Sequence, residues 1–207
     1  MTDHQSITVA GIDVGGKGKG FHAVVMRNGI LTARAIAGAQ EAADWCVSEG
    51  AQAVAVDAPM GWSTSGRSRQ AERELRWEGS IIQCFRTPDA ATGSGNPFYG
   101  WVANGMDLYD CLAPHFARYD GTNRTGRVVF ETFPQAVACA LSGRVVSART
   151  KRATRRGLLQ GLGFDQARLK NIDEVDAALC ALTALRFVEG RTMQFGNAAE
   201  GFIVVPA

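Results

Sequence analysis

Apolar and β-branched segments alternate with turn-forming residues in the first part of the chain. One apolar segment covers residues 7–14, and a glycine-rich segment at residues 15–20 separates it from a second one at residues 21–26. The Asn28-Gly29 dipeptide, which favours tight type I′ turns, then leads into a third segment at residues 30–36. This pattern predicts an antiparallel meander of three strands.

The later apolar segments predict parallel strands separated by helices. A helix is expected over residues 39–49, and an uninterrupted apolar strand, of the kind buried on both faces, is expected at residues 53–57. A fifth strand is expected at residues 128–131. The remaining predicted elements are helices that begin at Pro134 and cover residues 148–160 and 172–189, and a short edge strand at residues 201–206.

A long irregular segment interrupts this pattern at about residues 58–120. Within it we expect a charged helix over residues 67–78, a flexible glycine-rich stretch at residues 87–100 and a helix over residues 101–116. A chain of 207 residues is long enough to bury one substantial core. The sequence therefore predicts a single α/β domain over residues 1–207, with a five-stranded mixed sheet flanked by helices and a helical insertion after the fourth strand.

Three of the predicted strands end at or just before an acidic residue: Asp13, Asp57 and Glu131. In open α/β sheets the ligand crevice lies at the carboxyl ends of the strands, so these side chains could converge and repel one another there. A bound Mg²⁺ or Mn²⁺ ion, both of which prefer oxygen ligands, would relieve that repulsion. Taken singly, each acid also has a structural interpretation: Asp57 in a turn, Asp13 bracing the glycine segment and Glu131 paired with an arginine.

The last predicted helix adds two more acids. Asn171 and Glu174 have the spacing of a capping box, which gives Glu174 a structural role. Asp173 and Asp176 are three residues apart and therefore lie near one another, and Asp176 adjoins the apolar stripe of the helix. Because burying an unpaired charge costs several kcal/mol, Asp176 should meet a cation or a strong donor, whereas Asp173 could merely favour the helix N-terminus.

Four segments together resemble a known family, the domain of unknown function 429 family: Gly11-Ile-Asp-Val-Gly15, Val54-Ala-Val-Asp-Ala-Pro59, Glu131-Thr-Phe-Pro134 and Asn171-Ile-Asp-Glu-Val-Asp-Ala-Ala-Leu179. That family is grouped with predicted nucleases of the ribonuclease H-like fold. The first motif, together with the two acids of the last, is also similar to the RuvC class of Holliday-junction resolvases.

The resemblance implies a ribonuclease H-like fold and a metal-binding role for Asp13, Asp57 and Asp176. Glu131 and Asp173 are further candidates for the catalytic set. The sequence departs from RuvC-like enzymes in three ways: Asp57 stands where they usually carry Glu, Glu131 has no agreed counterpart in them, and they lack the insertion that follows Asp57.

The positive charges are unevenly distributed, although the net charge is only +2. Residues 132–164 contain no Asp or Glu, and such an asymmetry suggests a basic surface that faces an anionic partner. A solvated helix face is the alternative. The candidate nucleic-acid contacts are the basic residues of this stretch and of the glycine-rich segment: Arg149, Lys151, Arg152, Arg155, Arg156, Lys17 and Lys19.

These features favour a divalent-metal-dependent nuclease or phosphodiesterase that acts on nucleic acid. One alternative is a non-catalytic nucleic-acid-binding module of the same fold. Another is an actin-like or sugar-kinase-like phosphotransferase, whose first phosphate loop resembles the Asp13-x-Gly-Gly pattern, but no second copy of that loop is found. A P-loop is rejected because Gly18 occupies the position of the Ser or Thr that would hold Mg²⁺.

The remaining sequence features predict a cytoplasmic protein without a membrane segment. No apolar run approaches the roughly 20 residues that cross a bilayer, and no secretory signal pattern is present at the start of the sequence. Five scattered cysteines indicate reduced, mostly buried thiols rather than a disulfide framework or a zinc site. His22 and His115 have no ligand spacing and are assigned no role.

Overall fold

The computed structural model describes residues 7–16, 18–64 and 66–207 of the chain. Its strands are β1 (Thr8–Val14), β2 (Phe21–Arg27), β3 (Ile30–Ile36), β4 (Ala53–Asp57), β5 (Arg76–Trp77), β6 (Ser80–Ile81), β7 (Ala117–Arg118), β8 (Val128–Glu131), β9 (Thr192–Asn197) and β10 (Gly201–Pro206). Its α-helices are α1 (Ala39–Ser48), α2 (Gln70–Glu74), α3 (Ala90–Gly93), α4 (Gly100–Leu112), α5 (Pro134–Ser142), α6 (Lys151–Gly161) and α7 (Ile172–Val188). Short 3₁₀ turns at Pro97–Tyr99 and Ala148–Thr150 precede α4 and α6.

The main sheet is mixed, as predicted, but it is larger than predicted. Its strand order is β3-β2-β1-β4-β8-β10-β9, and β7 pairs alongside β8. The predicted meander forms β1 to β3, and β4, β8 and β10 continue the sheet in parallel with β1. The prediction of five strands was wrong, since eight strands pair in this sheet within the described part of the chain.

Two local predictions also need correction. The strand at Gly201–Pro206 does not lie at an edge, because β9 pairs with its outer side in an antiparallel hairpin. The predicted charged helix over residues 67–78 is only the five-residue α2, after which β5 and β6 form a small hairpin. Glu78 and Gly79 both adopt positive φ there, a conformation that forms a tight turn and cannot continue a helix.

The sheet has an apolar layer on each face. Val9, Val24 and Ala55 pack on one side with α7, whereas Ile12 and Val56 pack on the other side with α1 and α4. This alternation follows from the two-residue repeat of side-chain direction along a strand. Because alternate residues of a strand face opposite sides of the sheet, the acids at the strand ends are divided between the two faces.

Helix α7 lies directly against β1 because Gly11 has no side chain. A Cβ atom at Gly11 would be 2.1 Å from the backbone nitrogen of Ala181 and 2.2 Å from the backbone oxygen of Ala177. The helix backbone therefore occupies the place of a side chain. This close approach holds the first turns of α7 over the carboxyl end of β1, where Asp13 lies two residues beyond Gly11.

Two further findings concern the whole of the described chain. None of the helices in these residues is long and apolar enough to cross a membrane. The five cysteines are all free thiols, as predicted, and Cys46, Cys139 and Cys180 are buried.

We expect Gly11→Ala to lower the free energy of unfolding by about 1 to 3 kcal/mol or more, because backbone atoms of α7 cannot yield as a flexible side chain would. Gly157→Ala is the matched control, since Gly157 is exposed on α6 and has open space for a Cβ. The free energy of unfolding of Gly157→Ala should rise by about 0.5 to 1 kcal/mol. Urea denaturation of both variants tests the contrast, and equal stabilities would contradict the close-contact interpretation.

Candidate functional site

Asp13 and Asp57 are neighbours at the carboxyl ends of two adjacent parallel strands. The register of β1 and β4 pairs Val9 with Ala53 and Asp13 with Asp57. Both acids are an even number of residues from that apolar pair, so their side chains lie on the face covered by α7. Each carboxyl group acts on the ionisation of the other. The predicted proximity of these two acids is therefore present in the structure.

Helix α7 brings two more carboxylates to the same place. Its N-cap is Asn171, whose side-chain oxygen accepts a hydrogen bond of 2.8 Å from the backbone N–H of Glu174. The carboxylate of Glu174 accepts a hydrogen bond from the backbone N–H of Lys170, rather than from that of Asn171 as in a regular capping box. With the helix start defined in this way, Asp173 is half-buried and Asp176 is buried, and both charges act on Asp13.

His22 completes this group, although no role was predicted for it from the sequence. The hairpin of β1 and β2 pairs it directly with Asp13. Potential ligand atoms of Asp13, His22 and Asp173 all lie within 4.8 Å of one another, and all three residues are half-buried. The signal that could have found His22 is the hairpin itself, because a turn that pairs Val14 with Phe21 must also pair the next two residues outward.

Burial and mutual repulsion make the acids at this site hard to ionise together. The pKa of Asp13 is raised to about 7, chiefly by burial and then by the charges of Asp176 and Asp173. Lys151 and the hydrogen bond from Asp57 oppose that shift. Burial, followed by the charge of Asp13, also raises the pKa of Asp57 well above its ordinary value. Without a cation, the Asp13 and Asp57 pair therefore retains a proton near neutral pH.

Asp176 differs from the other acids because it has cationic partners within the chain. The guanidinium of Arg155 forms a close ion pair with it, and the ammonium of Lys151 lies 3.9 Å away. Burial raises the pKa of Asp176, while Arg155 and Lys151 act in the opposite direction. The expectation that this buried carboxylate would meet a cation or a strong donor is thus answered by Arg155.

The basic stretch lies beside the acids and is divided between internal and exposed side chains. Arg155 is buried, with its guanidinium 3.2 Å from the side-chain oxygen of Gln135. Arg156 is half-buried and donates a 2.8 Å hydrogen bond to the backbone oxygen of Leu169. Of the predicted nucleic-acid contacts in this stretch, Arg149, Lys151 and Arg152 are exposed.

The glycine-rich segment lies beside an open cavity. Lys19 is exposed and lines an open cavity of about 720 Å³ between this segment and the start of α1. Asn104 of α4 also lines the cavity and donates a 2.9 Å hydrogen bond to the backbone oxygen of Gly15. Lys17 lies outside the described residues.

Glu131 is not brought together with the other four acids. The register of β4 and β8 pairs it with Val56 rather than with Asp57, so its side chain points to the opposite face of the sheet. There it forms two hydrogen bonds with the guanidinium of Arg69, at 2.5 and 2.6 Å. Both side chains are buried. This environment matches the structural interpretation, in which Glu131 pairs with an arginine.

Arg69 also binds the insertion to the rest of the structure. Its Nε atom lies 3.0 Å from a carboxylate oxygen of Glu72, and the other oxygen of Glu72 accepts a 2.8 Å hydrogen bond from the backbone N–H of Thr87. One guanidinium nitrogen of Arg69 reaches the backbone oxygen of Glu200 at 3.4 Å. Three segments distant in sequence therefore meet at one buried cation.

The carboxylate of Glu200 fixes the start of α2 from the same side. It accepts hydrogen bonds from the backbone N–H groups of Thr64 at 2.7 Å and Gln70 at 2.6 Å. Burial opposes ionisation of Glu200, but these donors outweigh it and lower the pKa of Glu200 to about 2. The segment on either side of Arg69 is thus held by charge-assisted hydrogen bonds.

A family comparison supplies the identity of the chain. The family model described as "Protein of unknown function (DUF429)" matches residues 11–200. The chain belongs to the DUF429 family. No curated protein and no solved structure gives a match to it. The matched range contains Asp13, His22, Asp57, Asp173 and Asp176, so the whole acidic group of this DUF429 protein lies within the family region.

We expect Asp57→Asn and Asp176→Asn to change the stability of this DUF429 protein in opposite directions when metal is absent. Asp57→Asn removes repulsion from Asp13 and should raise the free energy of unfolding at pH 8 by about 0.5 to 2 kcal/mol. Asp176→Asn leaves the buried Arg155 without its counter-ion and should lower it by about 1 to 3 kcal/mol.

Urea denaturation in chelator at pH 5 and pH 8 measures both effects. The folded-state pKa of Asp13, about 7, is above its ordinary value, so its contribution to stability is complete below about pH 4 and is lost as the pH rises through 7. The wild type should therefore lose stability between pH 5 and pH 8, and Asp57→Asn should lose less. A metal-independent loss of stability in Asp57→Asn would show that Asp57 has a structural role.

Proposed function

We propose that this protein is a divalent-metal-dependent nuclease or phosphodiesterase of the ribonuclease H-like fold that acts on nucleic acid. The observation that carries the proposal is the convergence of Asp13, His22 and Asp173, whose potential ligand atoms lie within 4.8 Å of one another. Asp57 and Asp176 are the flanking acids, and their charges act on Asp13. A group of ionisable side chains with raised pKa values is characteristic of functional sites.

The arrangement of the elements supports the proposed fold. An antiparallel meander, β1 to β3, is followed by the parallel strands β4 and β8, with helices on both faces of the sheet. The acids come from the end of β1, the end of β4 and the start of α7. The resemblance to RuvC-like enzymes depends on the same placement of acids. The wider sheet and the insertion are additions to that pattern.

The donor set fits Mg²⁺ or Mn²⁺, because carboxylate oxygens are the preferred ligands of both ions. Asp13 and Asp173 would hold the ion, which when bound supplies positive charge to stabilise a phosphodiester undergoing cleavage. Asp57 lies beside Asp13 because the two residues are paired in the register of β1 and β4. The raised pKa values of the two acids mean that cation binding must displace a proton from the pair.

The substrate class is proposed from the basic residues next to the acids. Lys151 lies 3.9 Å from Asp176 and is itself exposed, so one side chain links the acidic group to the basic surface. Arg149 and Arg152 flank Lys151 in sequence and are also exposed. A phosphate backbone that crosses this surface would place a phosphodiester beside the acids.

We expect hydrolysis of an oligonucleotide or of a small phosphodiester to require Mg²⁺ or Mn²⁺ and to be suppressed by Ca²⁺, because the larger ion is coordinated more loosely. Asp13→Asn should abolish the activity, since it removes a ligand at the centre of the group. Asp44→Asn, which changes an exposed acid on α1 at the other face of the sheet, is the control and should retain it. Cleavage at full rate in chelator would contradict the proposal, and binding without cleavage would favour the non-catalytic module.

We expect the double variant Arg149→Ala with Arg152→Ala to bind single-stranded DNA more weakly and with a flatter salt dependence. Each lost phosphate contact should reduce the slope of log K against log salt by about 0.7. The control is Arg34→Ala with Arg191→Ala, two exposed arginines elsewhere on the surface. Fluorescence anisotropy at several salt concentrations measures the slopes, and an unchanged slope in the first variant would remove this surface from the interface.

A further inference from the structure

His22 gives the acidic group a ligand that differs chemically from a carboxylate. It is held opposite Asp13 by the register of β2, and the side-chain nitrogen of Asn171 lies 3.5 Å from its Nε2 atom. Two ligand atoms about 2.1 Å from a shared ion are at most about 4.2 Å apart. Because the three groups already lie within 4.8 Å, a small closing movement of half-buried side chains brings them to that spacing.

The presence of an imidazole changes the ions that this site should prefer. Mg²⁺ favours oxygen ligands in strict octahedral geometry and retains several waters, whereas imidazole suits transition metals. Mn²⁺ accepts carboxylates, and it exceeds Mg²⁺ in its tolerance of a nitrogen ligand. A set of two carboxylates and one imidazole from Asp13, Asp173 and His22 therefore favours a Mn²⁺-type ion.

The charges around the site balance one divalent ion rather than two. Four carboxylates meet here: Asp13, Asp57, Asp173 and Asp176. The side chains of Arg155 and Lys151 oppose them with two positive charges, so two negative charges remain when all the acids are ionised. A single divalent cation neutralises that remainder.

Asp176, one of the acids that could hold a second ion, is already paired with Arg155. Asp176 is 4% exposed and Arg155 is 5% exposed, so the pair is removed from solvent. Oδ1 of Asp176 accepts no well-oriented hydrogen bond among the described residues, and the adjacent guanidinium balances its charge. The side-chain oxygen of Gln135 accepts a hydrogen bond from Arg155. The side-chain nitrogen of Gln135 in turn donates a 2.7 Å hydrogen bond to the backbone oxygen of Val146. An ion on Asp176 would have to displace a buried, anchored cation, which is costly.

We propose that His22 supplies a nitrogen ligand to a single Mn²⁺-type ion bound between Asp13 and Asp173, while Arg155 and Lys151 balance Asp176 in place of a second ion. The inference rests on the metal-binding part of the proposed function, and it does not depend on what the protein hydrolyses. It defines the type and number of ions, which the carboxylates alone leave open.

The test is electron paramagnetic resonance of the full chain, stripped of metal and titrated with MnCl₂. We expect saturation at one Mn²⁺ per chain and a ¹⁴N modulation from a coordinated imidazole in pulsed spectra. His22→Gln should lose the modulation and weaken Mn²⁺ binding by about tenfold or more, with a smaller effect on Mg²⁺ measured by competition. His115→Gln changes an exposed histidine after α4 and should leave both readouts unchanged.

His22→Asp separates the loss of a ligand from a loss of folding. This variant replaces the nitrogen with an oxygen ligand, so it should abolish the ¹⁴N modulation and retain Mg²⁺ binding. Two Mn²⁺ ions per chain, a wild-type spectrum without ¹⁴N modulation, or no Mn²⁺ binding would each overturn the inference, even if nucleic acid is cleaved. One nitrogen-ligated Mn²⁺ without any hydrolysis would instead support the inference and refute the proposed function.

Discussion

The direct contact between the backbone of α7 and Gly11 is the constraint on which the site depends. A larger residue at this position would push the helix away from the sheet by roughly the size of its side chain. The acids on α7 would then leave the reach of Asp13 and His22, although every strand could still pair as before. The absence of one side chain thus sets the separation between two layers of the fold, and that separation determines whether four carboxylates act as one group.

The carboxyl ends of the strands carry two ionic groups on opposite faces, and they differ in how completely their charges are compensated. Glu131 receives both of its strong hydrogen bonds from Arg69, which makes that group a closed structural anchor. Among the described residues no ion pair joins Asp13 or Asp57 directly to a cation, and Lys151 and Arg155 offset their charges only in part. The structure therefore compensates the acids that fasten the insertion and leaves only partly compensated those that face the proposed ligand.

Much of the fold could be predicted because its signals are local. The meander, the buried strand that ends at Asp57 and the capped start of the last helix all follow from short patterns of residues. The adjacency of Asp13 and Asp57 followed in turn from placing two parallel strands side by side. His22 was within the reach of the same reasoning, since the predicted hairpin implies its register with Asp13.

The remaining features depend on contacts between distant parts of the chain. The face on which Glu131 lies is set by the pairing of a four-residue strand, and a slip of one residue would reverse it. Its partner, Arg69, is 62 positions away and is the N-cap of α2, a helix whose length was overestimated. Likewise, Arg155 was predicted to lie on a basic surface. Its pairing with the buried carboxylate of Asp176 depends on how two helices pack, which local sequence patterns do not reveal.

The acidic group can form only after two segments that are far apart in the sequence have both been synthesised. His22 and Asn171, which lie beside each other at the site, are 149 positions apart in sequence. A nascent chain can form the first hairpin early, whereas the helix that carries Asp173 follows much later in the sequence. Any cation that needs both halves is therefore excluded from the growing polypeptide, and its uptake reports that α7 has docked on the finished sheet.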